Sequence, residues 1–145
     1  MLDRWRRLGA LEQRLLLEAL AALARARLTL WARPFSATWR DLTGPAPRPI
    51  STPDADPVDP ALVTRAVRRA SRLIPASRCL PQALATYSML ARRGICADVR
   101  FGVAKDGHNG FEAHAWVELD GIVLIGQLRD LHRYEPLPRW PQRGG

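Results

Sequence analysis

Two cysteines and three histidines hold most of the nucleophile and base chemistry open to this chain of 145 residues. Cys79 stands in SRCLPQALATYSMLARRG, the stretch from Ser77 to Gly94. Leu84, Tyr87, Leu90 and Ala91 keep a helical period there. Pro81 suits a first helical turn, because its φ is already fixed and its missing N–H is not needed. Leu80, ahead of a proline, is biased away from helical geometry. The helix is therefore expected to start close to Pro81, with Cys79 at or just before its first turn. A sulfur in that place faces free N–H groups and the positive end of the helix dipole, and both favour the thiolate. The same N–H groups suit an oxyanion formed beside the sulfur. The competing reading is a buried free cysteine that packs as a small hydrophobe. Cys96, in the turn after the helix, has no obvious base nearby and reads as structural.

His114 lies in FEAHAWVEL, Phe111 to Leu119, which alternates as a strand does. Period-two alternation puts Trp116 and Glu118 on its face and Ala113, Ala115, Val117 and Leu119 on the other. Paired with a cysteine at a helix start, His114 suggests a general base for a thiol nucleophile. His108 falls in a turn and His132 in the tail, and neither has a defined face.

The elements that must hold this pair can be traced along the chain. Residues from about Ala10 to Trp31 read as one helix, with Leu11, Leu15, Ala19, Leu23, Ala26 and Leu30 at helical spacing. Its apolar stripe is wide, which implies burial on more than one side or a docking face. TGPAPRPISTPDADPVDP, from Thr43, is too rich in proline for helix or central strand. Asp59 and Pro60 then make an N-cap and first position for a second helix, which Pro75 ends. Arg92, Arg93 and Gly94 close the third. ADVRFGVA, FEAHAWVEL and IVLIG follow as three antiparallel strands, the last two joined by an Asp120-Gly121 hairpin turn. The fold class expected is α+β. It divides into an N-terminal helical region at 1–42, a proline-rich linker at 43–58 and a core at 59–145. The proline-rich C-terminal tail wraps or frays.

Composition narrows the setting. A hydrophobic fraction of 47% belongs to a folded protein. The net charge is +8, and Lys105 is the sole lysine among 22 basic residues. An arginine excess of this kind follows from base composition as readily as from an acidic partner. Two cysteines make no disulfide framework, and no metal-ligand spacing occurs, so no metal is expected. Glu12, Arg14, Glu18, Arg25 and Arg27 interrupt the apolar N-terminal run, so neither a signal peptide nor a membrane span is expected. A reducing, cytoplasmic compartment follows from that reading.

CLPQALATYSMLARRGI, then VRFGVAKDG and FEAHAWVELDGIVLIG, together resemble the transglutaminase-like cysteine peptidases of lasso-peptide biosynthesis, the stand-alone B-type leader peptidases. The resemblance runs from about Leu73 to Gly126. It implies a transglutaminase/papain-like core, with the nucleophile at a helix N-terminus packed on an antiparallel sheet. It assigns Cys79 as nucleophile, His114 as general base and acid, and a third polar residue near 126. Here Gly126-Gln127 stand at that place. Folding the hairpin at Asp120-Gly121 sets residues 126 and 127 opposite His114, and Gln127 is the polar one. Its amide can orient an imidazole by accepting the ring N–H. Asp130 is the alternative if the strand ends in a bulge. Glu118 is about 13 Å along the strand and Asp120 roughly 20 Å, which disfavours both.

The resemblance also implies partners: a precursor leader peptide, a separate leader-recognition protein that works in trans, and an ATP-dependent lasso cyclase later in the pathway. The N-terminal helix and its arginines are the candidate docking surface. No Walker-type motif is present, so no nucleotide cofactor is expected, and neither nucleic acid nor membrane is an expected partner. Two other readings share the same residues: a non-catalytic peptide-binding scaffold, and transamidation in place of hydrolysis.

Overall fold

Helix boundaries follow the capping chemistry closely in the computed structural model, which describes residues 2–34, 37, 58–75, 78–105, 107 and 110–136. Helix α1 (Leu2–Arg6) leads through a short turn into α2 (Ala10–Ala32). Glu12 reaches back to the N–H of Gly9 at 3.4 Å, and the Gln13 amide donates to the carbonyls of Trp5 and Leu8. Helix α3 (Pro60–Ser71) starts as expected: the Asp59 carboxylate accepts the Ala61 N–H at 2.9 Å and Pro60 takes the first position. It ends at Ser71, four residues short of Pro75. Helix α4 (Cys79–Ala91) begins at Cys79 itself, two residues ahead of the expected start, with Pro81 buried inside its first turn. Its other end closes on Gly94 at φ 74°, where the Ile95 N–H returns to the Leu90 carbonyl at 3.0 Å.

Strands β1 (Asp98–Lys105), β2 (Phe111–Leu119) and β3 (Ile122–Ile125) form the expected antiparallel meander. Asp120 and Gly121 both take positive φ, 50° and 80°, as a two-residue hairpin turn requires. A fourth strand, β4 (Glu135–Pro136), follows a 3₁₀ turn at Leu131–Arg133 and pairs with Gly102 and Val103 of β1. The sheet order is β3-β2-β1-β4. The tail therefore wraps back onto the sheet as far as Pro136. The linker expected at 43–58 lies outside the described residues except for Val58, as does the tail beyond Pro136.

The core lies between the helices and one face of the sheet. Leu15, Ala19 and Leu23 of α2 pack with Val63, Val67 and Ala70 of α3 and with Ala83, Met89 and Leu90 of α4. Ala115, Val117 and Ile125 meet them from the sheet. Helix α2 thus shares one hydrophobic core with the segment that follows residue 59. Each fully buried leucine contributes about 2 kcal/mol. Glu18 of α2 and Arg93 after α4 clamp the two helices at 2.6 and 2.8 Å, fork to fork. On the other sheet face a smaller cluster forms from Ala104, Trp116 and Tyr134.

Candidate active site

Cys79 is the first residue of α4 and is partly buried. Arg78, at the N-cap, makes no side-chain capping bond, and the first turn holds no acidic residue. The Gln82 N–H is taken by the Arg78 carbonyl at 3.3 Å. Among the described residues, the N–H groups of Cys79 and Leu80 have no hydrogen-bond partner. Both stand at the positive end of the helix, beside the sulfur. This arrangement can receive an oxyanion.

His114 pairs with Gly102 across β1 and β2 and projects onto the face of the small cluster. Its ring stacks on Trp116 at a centroid distance of 6.0 Å and tilts against Tyr134 at 5.5 Å. Its Nε2 lies 2.6 Å from the carbonyl oxygen of Gly126. A carbonyl only accepts, so in this contact Nε2 carries the proton and Nδ1 of the neutral ring keeps its lone pair. Nδ1 is then the atom free to act as a base. Among the described residues, no hydrogen bond joins Cys79 to His114.

The side chain of Gln127 takes no part in this contact. It is exposed, and its amide donates to the Leu128 carbonyl at 3.2 Å. The reason is a bulge. The Leu119–Ile122 pairing, continued without interruption, would set Gln127 across from His114. An irregularity between Val117 and Glu118 moves β3 on by one residue, so that Val117 pairs with Ile125. The group on the imidazole is therefore the backbone of Gly126. Asp130, the alternative, pairs with Arg133 at 3.1 Å instead. Cys96 is exposed at the surface and is not a packed structural thiol.

Two groups beside the ring have no counterpart in the sequence reading. Tyr134 packs on His114 and donates its hydroxyl to Glu112 at 3.0 Å. Glu112 also accepts from Arg133 at 3.1 Å. Burial, reinforced by the Glu112 carboxylate, raises the Tyr134 phenol above its ordinary value. It stays a neutral donor and holds its ring against the imidazole. Glu112 was legible in principle, because alternation puts it on the face of His114. Tyr134 was not, since a proline-rich tail shows no periodicity. Beside the cluster, Arg100 pairs in register with Trp116, and its Nε is buried without a hydrogen-bond partner among the described residues.

Among the described residues, no group of three or more His, Cys, Asp or Glu is placed to hold a metal ion. No described helix is long and apolar enough to cross a membrane.

A family model described as the transglutaminase-like superfamily matches residues 19–139, from within α2 to beyond β4. Neither the curated proteins nor the solved structures contain a match.

Proposed function

Because the chain belongs to the transglutaminase-like superfamily, a group that includes cysteine peptidases and transglutaminases, we propose that it is a cysteine peptidase that removes the leader from a lasso-peptide precursor. The observation that carries the reading is Cys79 as the opening residue of α4, beside two backbone N–H groups with no partner among the described residues. The narrower assignment to lasso-peptide maturation is supported by the Cys-Leu-Pro start, the Arg-Arg-Gly close and the His-Ala-Trp-Val-Glu strand taken together.

In this mechanism the Cys79 thiol gives its proton to Nδ1 of His114 and the thiolate attacks the carbonyl at the leader–core junction. The N–H groups of Cys79 and Leu80 receive the oxyanion. The C–N bond breaks as the imidazolium returns the proton to the leaving amine, which leaves a thioester. Water, with Nδ1 as base, then opens the thioester to a carboxylic acid and frees the thiol. The Gly126 carbonyl holds the ring and supports its charge through Nε2–H. The mechanism requires the thiol and the imidazole to meet, a contact that no hydrogen bond among the described residues makes. A separate recognition protein presents the leader, and an ATP-dependent cyclase takes the freed core.

Mass spectrometry of a precursor incubated with the purified chain and a recognition protein tests the proposal. Cys79→Ala is expected to abolish cleavage, and His114→Ala to lower the rate about 10²–10⁴-fold. Cleavage by Cys79→Ala at the wild-type rate would sink the mechanism. A second reading, a non-catalytic peptide-binding scaffold, draws on two absences among the described residues: no hydrogen bond joins Cys79 to His114, and no carboxylate bonds the imidazole. Iodoacetamide labelling separates the two. Exposure alone favours Cys96, so faster alkylation of Cys79 supports the enzyme and slower alkylation the scaffold.

A further inference from the structure

Helix α2 buries one face in the core and leaves an apolar stripe on the other. Leu17 is 57% exposed, Leu28 64% and Trp31 87%. Ala21 and Ala24, also exposed, lie between the two leucines. The spacing 17, 21, 24, 28, 31 alternates fours and threes, the seam of a two-helix contact. With exposed Arg14 at its head, the stripe runs about 25 Å along the helix. It lies on the far side of α2 from Leu15, Ala19 and Leu23.

The stripe is also symmetric about its own centre. Reversed, leucine falls on leucine and alanine on alanine. We propose that α2 pairs antiparallel with α2 of a second copy of this chain. Leu17 then packs on Leu28 of the other copy and Ala21 on Ala24, where the small side chains let the backbones approach. A two-fold contact requires this self-complementarity, and a heterologous one does not. Charge agrees with the direction. The same register sets the guanidinium of Arg14 over the indole of Trp31 in the other copy, at both ends of the seam. It also brings the Glu18 carboxylate, already on Arg93, beside Arg25 of the second copy. A parallel pairing would instead stack Arg14 on Arg14. The strip is narrow, at the low end of specific interfaces, so the dimer is weak and depends on concentration.

The test is sedimentation equilibrium of the full chain from ~1 to ~200 µM, in about 0.15 M salt to screen the charge of +8 on each copy. The mass is expected to rise from 16.2 kDa towards twice that value. Leu28→Glu, a change at an exposed site, is expected to hold it at the monomer with an unchanged circular dichroism spectrum. A monomer across the whole range overturns the proposal, whether residues 38–57 or another protein cover the stripe. So does a dimer that Leu28→Glu leaves intact. Direction is read by oxidative cross-linking in a Cys79→Ser, Cys96→Ser background. Leu17→Cys is expected to cross-link with Leu28→Cys when the two proteins are mixed. Leu17→Cys linking to itself instead overturns the antiparallel arrangement.

Discussion

Three demands meet at Gly126. Its φ of 92° lies in the left-handed region, where an L side chain is strained. A Cβ there would stand 2.7 Å from Trp116 Cβ and 2.8 Å from the Ala115 carbonyl, and backbone cannot yield to it. Its own carbonyl holds His114. Gly126→Ala is therefore expected to destabilise the fold by about 2–4 kcal/mol. Where folded protein remains, cleavage should fall further than the lost stability explains, because the carbonyl is displaced from the ring. Chemical denaturation and single-turnover cleavage measure the two effects. Gln127→Ala, by contrast, is expected to leave the rate within about threefold, since its amide serves only Leu128. At this scale the sequence was half legible. Cys79 and His114 can be singled out as candidates because side chains have types and positions in a pattern. The partner of His114 is a main-chain carbonyl, which every residue carries, so no residue type could mark it.

Among the elements, the three long helices and the hairpin follow from periodicity and capping, and Asp59-Pro60 and Asp120-Gly121 mark their ends without ambiguity. Two features escaped. The bulge between Val117 and Glu118 comes from how β3 settles over the core, and neither residue signals it locally. Strand β4 is two residues long and contains a proline, so its existence rests wholly on the β1 edge that receives it. The join between α2 and α4 has its own test. Glu18 and Arg93 are each about a quarter exposed, at 26% and 23%. Glu18 hydrogen-bonds Arg93 and raises the guanidinium further above its usual range, against a smaller opposing effect of burial. In a double-mutant cycle with Glu18→Gln and Arg93→Met, a coupling of about 1 kcal/mol is expected, with a fall in Tm of about 3 °C. A coupling of zero would show that packing alone seats α2 on α4.

Across the whole molecule, the α+β architecture was readable because helical and strand periods occupy separate parts of the chain. Helix α2, within the region 1–42, completes the core of the later segment with its buried leucines. Sequence distance hid that contact. The pH dependence belongs to this scale too. The chain has two tyrosines, and both phenols are raised above the ordinary value of about 10. For Tyr87 the causes are burial, then Cys96, then Asp98; for Tyr134 they are led by burial and Glu112. A folded pKa above the unfolded one gives stability that is complete below about pH 10 and drains away as pH rises through the folded value. Phenolate absorbance should therefore rise at higher pH in the native chain than in urea, and the urea midpoint should decline only above about pH 10. Coincident titrations would contradict the burial of both rings.

The outward stripe and the inward stripe of α2 have a joint consequence for the order of synthesis. The helix leaves the ribosome well ahead of Val63, Val67 and Met89, the residues that bury its inner face. At roughly 5–20 residues per second, it waits about 3–13 s between Leu23 and Met89. For that interval both of its greasy sides are bare to the cell. The nascent chain is thus at its stickiest early, and translation speed through residues 35–90 becomes a control on yield. Slowing that segment with rare codons should send more of the protein to inclusion bodies, and holding α2 with a chaperone should recover it.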